Sequence, residues 1–135
     1  MVERTFSENG QLFAAIAVES VHLAGGNKFP LWIHIEAGDG WVSESIYREW
    51  PEVVEYVNFS SEEGGPLFEL ITDAWDAEEP SKRWAEAEMD ITDGTFTTRF
   101  RYPDEVELEE DEGSMARRDT AIAARFGDKP VIYPD

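Results

Sequence analysis

Apolar residues recur along this chain with two periods, and the switches between them mark its elements. Leu12, Phe13, Ile16, Ala17 and Ala24 follow a helical period. Upstream, Thr5-Phe6-Ser7-Glu8 has the spacing of a capping box, in which Thr5 and Glu8 satisfy each other's free amides. With Gly25-Gly26 as the stop, this predicts a first helix over about 7–24 with one apolar face. After Pro30 the period becomes two. Leu31, Ile33, Ile35 and Ala37 alternate with Trp32, His34 and Glu36, the pattern of a half-buried strand. Gly38-Asp39-Gly40 makes a turn and Trp41 to Arg48 reads as the returning strand. Val53 to Phe59 is read as a third strand, although Trp50, Val53, Val54 and Val57 also fit a helical turn. Pro66, whose missing amide costs nothing at a first helical position, opens a second helix over about 66–77. There Leu67, Leu70, Ile71, Ala74 and Trp75 form one stripe.

Asp93-Gly94 suits a two-residue type I′ turn, because both residues tolerate positive φ. Such a loop sets the register of its hairpin: Ile91 faces Phe96, Met89 faces Thr98, Ala87 faces Phe100 and Ala85 faces Tyr102 on the core side. The same register places Glu88 opposite Arg99 and Glu86 opposite Arg101 on the other side. A slip of one residue would lose both matches. Residues 104–112 carry seven acids in nine positions and read as a solvent-facing loop. Ser114 then caps a last helix with Met115, Arg118, Ile122 and Phe126 roughly on one side, and Gly127 ends it. Val131, Ile132 and Tyr133, between prolines, are expected to dock as an extended strip.

These elements predict a single α+β domain over 1–135, with a mainly antiparallel sheet of about five strands (a meander plus a hairpin) and helices packed on one face. Hydrophobic residues at 41% and aromatics at 13% support a real core.

The charge narrows the function classes. Against 11 basic residues stand 30 acidic ones, a formal charge of −19. That excess repels nucleic acid and anionic membranes and steers a basic partner inward, or else serves solubility alone. No cysteine is present, so disulfides, zinc-thiolate sites and thiol catalysis are excluded. Met1-Val2-Glu3-Arg4 does not lead into a basic-then-apolar signal, and Leu12 to Leu23 is too short and polar to span a bilayer. A cytoplasmic location is therefore expected.

Only His22 and His34 offer an imidazole. His34-Ile35-Glu36 has the H-x-E form of zinc deaminases but lacks their cysteine ligands, and a structural role is the plainer reading of both histidines. Nucleophile elbows, phosphate-binding glycine loops and H-E-x-x-H are absent, and the acidic run lacks EF-hand order. No catalytic residue, cofactor or metal site is expected. Trp32 and Trp84 fall opposite the apolar alternation. They are buried under another element, or else anchor a partner among acids that select a basic ligand.

The residues from Leu12-Phe13-Ala14-Ala15-Ile16 onward resemble the YezG-like immunity family, small acidic antitoxins paired with secreted polymorphic toxins. The resemblance rests on that helix, a Trp- and Tyr-rich meander, the helix with Leu67-Phe68-Glu69-Leu70, and Trp84-Ala85-Glu86-Ala87-Glu88-Met89-Asp90. It closes on Asp93-Gly94-Thr95-Phe96 running into Arg99-Phe100-Arg101-Tyr102-Pro103, and covers about residues 10–103. Arg117-Arg118 is similar to a basic pair of the family, while the tryptophan expected in the last helix is missing. The resemblance implies no enzymatic activity, no cofactor, and inhibition by covering a toxin surface.

The expected function is therefore a non-catalytic acidic domain binding a protein with a basic surface, such as a nuclease-like toxin. Glu105, Glu107, Glu109, Glu110, Asp111, Trp32 and Trp84 are its candidate contacts. A small carboxylate-dependent enzyme and a housekeeping acidic adaptor are the alternatives, and an aromatic sheet face is compatible with a homodimer.

Overall fold

Two apolar faces, rather than one, organise this chain. The computed structural model describes residues 2–4, 10–26, 28–92, 95–103 and 114–133, with the backbone alone for 2–4 and 114–117. Its strands are β1 (Val2–Arg4), β2 (Leu31–Gly38), β3 (Trp41–Glu49), β4 (Val54–Tyr56), β5 (Glu86–Thr92), β6 (Thr95–Arg101) and β7 (Val131–Ile132). The helices are α1 (Gly10–Ala24), α2 (Ser61–Asp76) and α3 (Ser114–Phe126). The strands form one sheet in the order β1-β6-β5-β2-β3-β4-β7, antiparallel except where β7 pairs with β4. The α+β class and the mainly antiparallel sheet match the sequence reading. The sheet is wider than about five strands because two short segments, β1 and β7, extend its edges.

The β5–β6 hairpin has the expected register throughout: Ile91 pairs with Phe96, Met89 with Thr98, Ala87 with Phe100, Glu88 with Arg99 and Glu86 with Arg101. The turn residues 93 and 94 lie outside the described residues. On one side of the sheet the odd positions of β2 and β5 (Ile33, Ile35, Ala87, Met89, Ile91) join Ile46 and Phe100 beneath α1 and α2. Phe13, Ile16, Leu67 and Ile71 complete this core. Gly25, at φ +77°, stops α1 as its position predicts. Residues 5–9, with the Thr5 capping box, are outside the description.

α2 begins earlier than the sequence reading placed it. Ser60 is its N-cap: the Ser60 hydroxyl accepts from the Glu63 amide while the Glu63 carboxylate accepts from the Ser60 amide, each at 3.0 Å. This reciprocal cap starts the helix upstream of Pro66, which therefore sits inside it. Gly64 is buried there, and a Cβ on it would lie 2.5 Å from the Phe59 ring.

The expectation of helices on one face fails at α3. Ala121, Ile122 and Phe126 cover Trp32, Tyr47 and Val54 on the opposite side of the sheet, forming a second core. The Phe126 ring meets Trp32 edge-on at 5.5 Å and 84°. β2 is consequently buried on both faces from Leu31 to Ala37, not half-buried as the alternation suggested. Gly127, at φ +62°, ends α3, and the tail returns as β7 beside β4. The expected third strand shrinks to Val54–Tyr56. No helix among the described residues is long and apolar enough to cross a membrane.

Phe126→Ala removes the ring that closes the second face and is expected to destabilise the protein by about 3 kcal/mol, with a red shift of tryptophan emission as Trp32 meets water. Chemical denaturation monitored by fluorescence measures both. Unchanged stability would mean that α3 does not seal this face.

Candidate functional site

The face that α3 covers is apolar at one end and charged at the other. β5 turns Glu86, Glu88 and Asp90 toward it, and β2 adds Trp32, His34 and Glu36. Glu36, Glu86, Glu88 and His34 are nearly inaccessible, at 2, 1, 7 and 3% exposure. Carboxylates buried this deeply need partners. His34 Nε2 lies 2.5 Å from Glu86 Oε2, and Arg101 donates to Glu86 Oε1 at 3.0 Å. Trp32 Nε1 donates to Glu88 at 3.1 Å, and Arg99 approaches Glu88 at 3.6 Å while also pairing with Asp90. From α3, Arg125 donates to Asp90 at 3.0 Å and to Glu49 at 3.4 Å, and Lys129 joins Glu49 at 3.2 Å.

The network sets ionisation. Burial alone would raise the Glu86 pKa. The hydrogen bond and charge of His34, and the charge and hydrogen bond of Arg101, outweigh it and hold the carboxyl below its usual range. Ionised Glu86 accepts only, so His34 Nε2 carries the hydrogen between them. Burial would lower Arg99, but its bonds to Asp90 and Glu88 hold it above the ordinary guanidinium value. Burial pushes the Tyr47 phenol up. Arg118 draws it back, Tyr133 and Tyr56 add to the rise, and the nearby Ser45 hydroxyl tempers it without meeting the geometry of a hydrogen bond.

Among the described residues one group of three side chains could hold a metal: ligand atoms of His34, Glu36 and Glu86 lie within 4.8 Å of one another. A cation would have to displace the His34–Glu86 hydrogen bond and share Glu86 with Arg101. As the side chains stand, the set is a closed chain of hydrogen bonds from His34 through Glu86 to Arg101. A cavity of about 400 Å³ reaches Glu36 from the end of the sheet, but neither His34 nor Glu86 lines it.

The tryptophan contacts expected from the sequence are corrected by burial. Trp32, at 1% exposure, is the centre of the α3 face rather than an anchor at the surface. Trp84, also at 1%, precedes β5 and escapes its alternation. It packs with Phe13 and Phe100 on the α1–α2 side. Glu105, Glu107, Glu109, Glu110 and Asp111 lie outside the described residues. His22 is exposed on α1, whereas His34 is brought together with Glu36 and Glu86. The residues that sequence reasoning missed are Glu49, Arg125 and Lys129, which tie α3 and its exit to the sheet. Their signal was a pair of cations at and just past the end of a helix with no acid one turn upstream to match.

Because the Glu86 pKa is lowered by folding, its stabilisation is full above the ordinary carboxylate value of 4.5 and is lost as pH falls through the lowered one. Glu86→Gln is expected to cost about 3 kcal/mol at neutral pH, since it strands His34 and Arg101. It should also lose less further stability than the wild type between about pH 5 and about pH 3. Parallel acid limbs in urea titrations of the two proteins would show that the network does not hold Glu86 ionised. Compared with known protein families and with curated proteins, the chain matches none, so its function has to be read from its own residues.

Proposed function

We propose that this domain is a non-catalytic binding module whose acidic exterior docks on a basic protein, in the toxin-neutralising manner that its sequence resemblance implies. One observation carries the reading. Five of the 11 basic residues (Arg48, Arg99, Arg101, Arg125 and Lys129) pair with acids of the sheet and do not offset the acids exposed elsewhere among the described residues. Among the described residues the imbalance is concentrated around α2. Residues 49–81 contain ten acids and no lysine or arginine. Glu62, Glu69, Asp73 and Asp76 lie exposed on α2 with Phe68, itself 45% exposed. An acidic helix face around an aromatic side chain suits steering by charge and retention by burial of the ring.

The paired carboxylates near His34 favour a carboxylate-dependent enzyme as a second reading. Substrate would have to reach an imidazole only 3% exposed beneath α3, and both Glu86 oxygens are already engaged. These contacts support a structural role for the cluster.

Replacing Glu62, Glu69, Asp73 and Asp76 together by their amides should leave the fold intact and slow association with a basic partner about tenfold at low ionic strength. Co-purification from source cells at low and high salt, with wild type and variant side by side, is the measurement. Wild type should retain a basic protein in a salt-sensitive way, and the variant should retain much less. Equal retention by both proteins would sink the reading.

A further inference from the structure

α1 is apolar on more sides than its place against the sheet accounts for. Phe13, Ile16, Ala17, Ser20 and Ala24 are its buried residues. A second stripe, Gln11, Ala14, Val18 and Val21, runs along the outer side at the alternating three- and four-residue spacing of a helix-packing seam. Val18 is 70% exposed, more than any other large apolar side chain among the described residues. Beside this stripe a groove of about 350 Å³ separates α1 from the turn end of the β5–β6 hairpin. Ala14, Val18 and Val21 line it from the helix, and Ile91 and Phe96 from the hairpin. Among the described residues none that lines it is charged.

Charge sets this face apart. The chain carries 30 acids, yet α1 holds one, Glu19, about 100° round the helix from Val18. The other exposed apolar side chains have acids as neighbours: Trp41 has Asp39, Phe68 the acids of α2, and Ile132 both Glu52 and Glu55. The aromatic sheet face that the sequence offered for self-pairing lies under α3. This contrast identifies the occupant. A basic partner gains more at α2 than at a face without acids. Two copies of a chain at −19, by contrast, repel one another within about 8 Å wherever their acids meet. In a twofold contact a patch faces itself, so like charges within it are opposed and an uncharged patch is favoured. The α1 stripe and its groove meet that condition, and they supply both a protruding side chain and a recess to receive it.

We infer that two copies of this chain pair through α1, with the outer stripes of the two helices crossing at Val18 about a twofold axis. Ala14 lets the helix backbones come close, and each Val18 packs into the groove of the other copy. The groove lies on the hairpin side of α1, so the acids of α2 stay outside the contact. The inference goes beyond the basic-partner reading and does not depend on it.

Sedimentation equilibrium of the full chain at micromolar concentration, across a salt series, is the test. The wild type should sediment as a dimer, and its association should strengthen about tenfold from low to physiological salt as screening relieves the repulsion between copies. Binding of a basic partner weakens with salt, which keeps the two readings apart. Val18→Glu sets two carboxylates face to face at the axis and should weaken association at least about tenfold. Because Val18 is exposed, this variant should keep the circular dichroism of the folded chain. Phe68→Glu, the same change on α2, should leave the dimer intact. A wild type that stays monomeric at every salt concentration, or a dimer that Val18→Glu does not weaken, would overturn the inference. Equal weakening by Phe68→Glu would do the same. If the wild type is monomeric and Val18→Glu loses a basic partner, the face belongs to that partner and self-pairing is refuted.

Discussion

Neutralising the acids of β5 is the constraint on which the rest of this structure depends. Glu86, Glu88 and Asp90 point into a face that α3 covers, and carboxylates removed from water are tolerated only when paired. Arg99 and Arg101 come from the neighbouring strand, His34 and the Trp32 indole from the strand on the other side, and Arg125 from the covering helix. Each partner is correct only in one register. Shifting β6 by one residue would turn both arginines to the apolar side and leave two buried charges unmatched. The network thus selects one arrangement of strands, whatever its net contribution to stability.

That selection has a consequence for the outside of the molecule. The five cations that pair with the sheet engage five acids (Glu49, Glu55, Glu86, Glu88 and Asp90), so the excess of 19 acids is left to the other 25 acids and six bases of the chain. Internal pairing and the acidic surface of α2 are thus two parts of one distribution of charge. The helix α2 carries the excess on a face anchored from behind by Leu67, Ile71 and Trp75, so its acids are presented on a rigid support.

The two faces of the sheet divide the work. α1 and α2 seal a predominantly apolar core, with Phe13, Trp84 and Phe100 in mutual contact at ring separations of 5.3 to 6.3 Å. α3 seals a mixed face in which a row of tilted and edge-on contacts between Trp32, Tyr47 and Tyr56 gives way to ion pairs. The end of the sheet, where neither layer reaches fully, leaves the cavity beside Trp41.

The hairpin register, the β2–β3 pair, the stop at Gly25 and the stop at Gly127 were legible in the sequence because each depends on residues close in the chain: turn dipeptides, alternation and glycines that accept positive φ. The opposite-charge matches of Glu86 with Arg101 and Glu88 with Arg99 followed from the same local geometry. The start of α2 was also written locally, in Ser60 and Glu63, but Pro66 is the louder signal and masked it. Only the tertiary structure decided that α3 lies on the opposite face, because amphipathic periodicity says that a helix has an apolar side and not which surface it meets. That one placement buried Trp32, brought Arg125 and Lys129 to Asp90 and Glu49, and made β2 a strand covered on both sides. Trp84 went the other way because it precedes the strand and is free of its alternation. The cavity of Trp41, Trp75 and Trp84 joins residues from three separate parts of the chain, and no spacing within any one part foretells it.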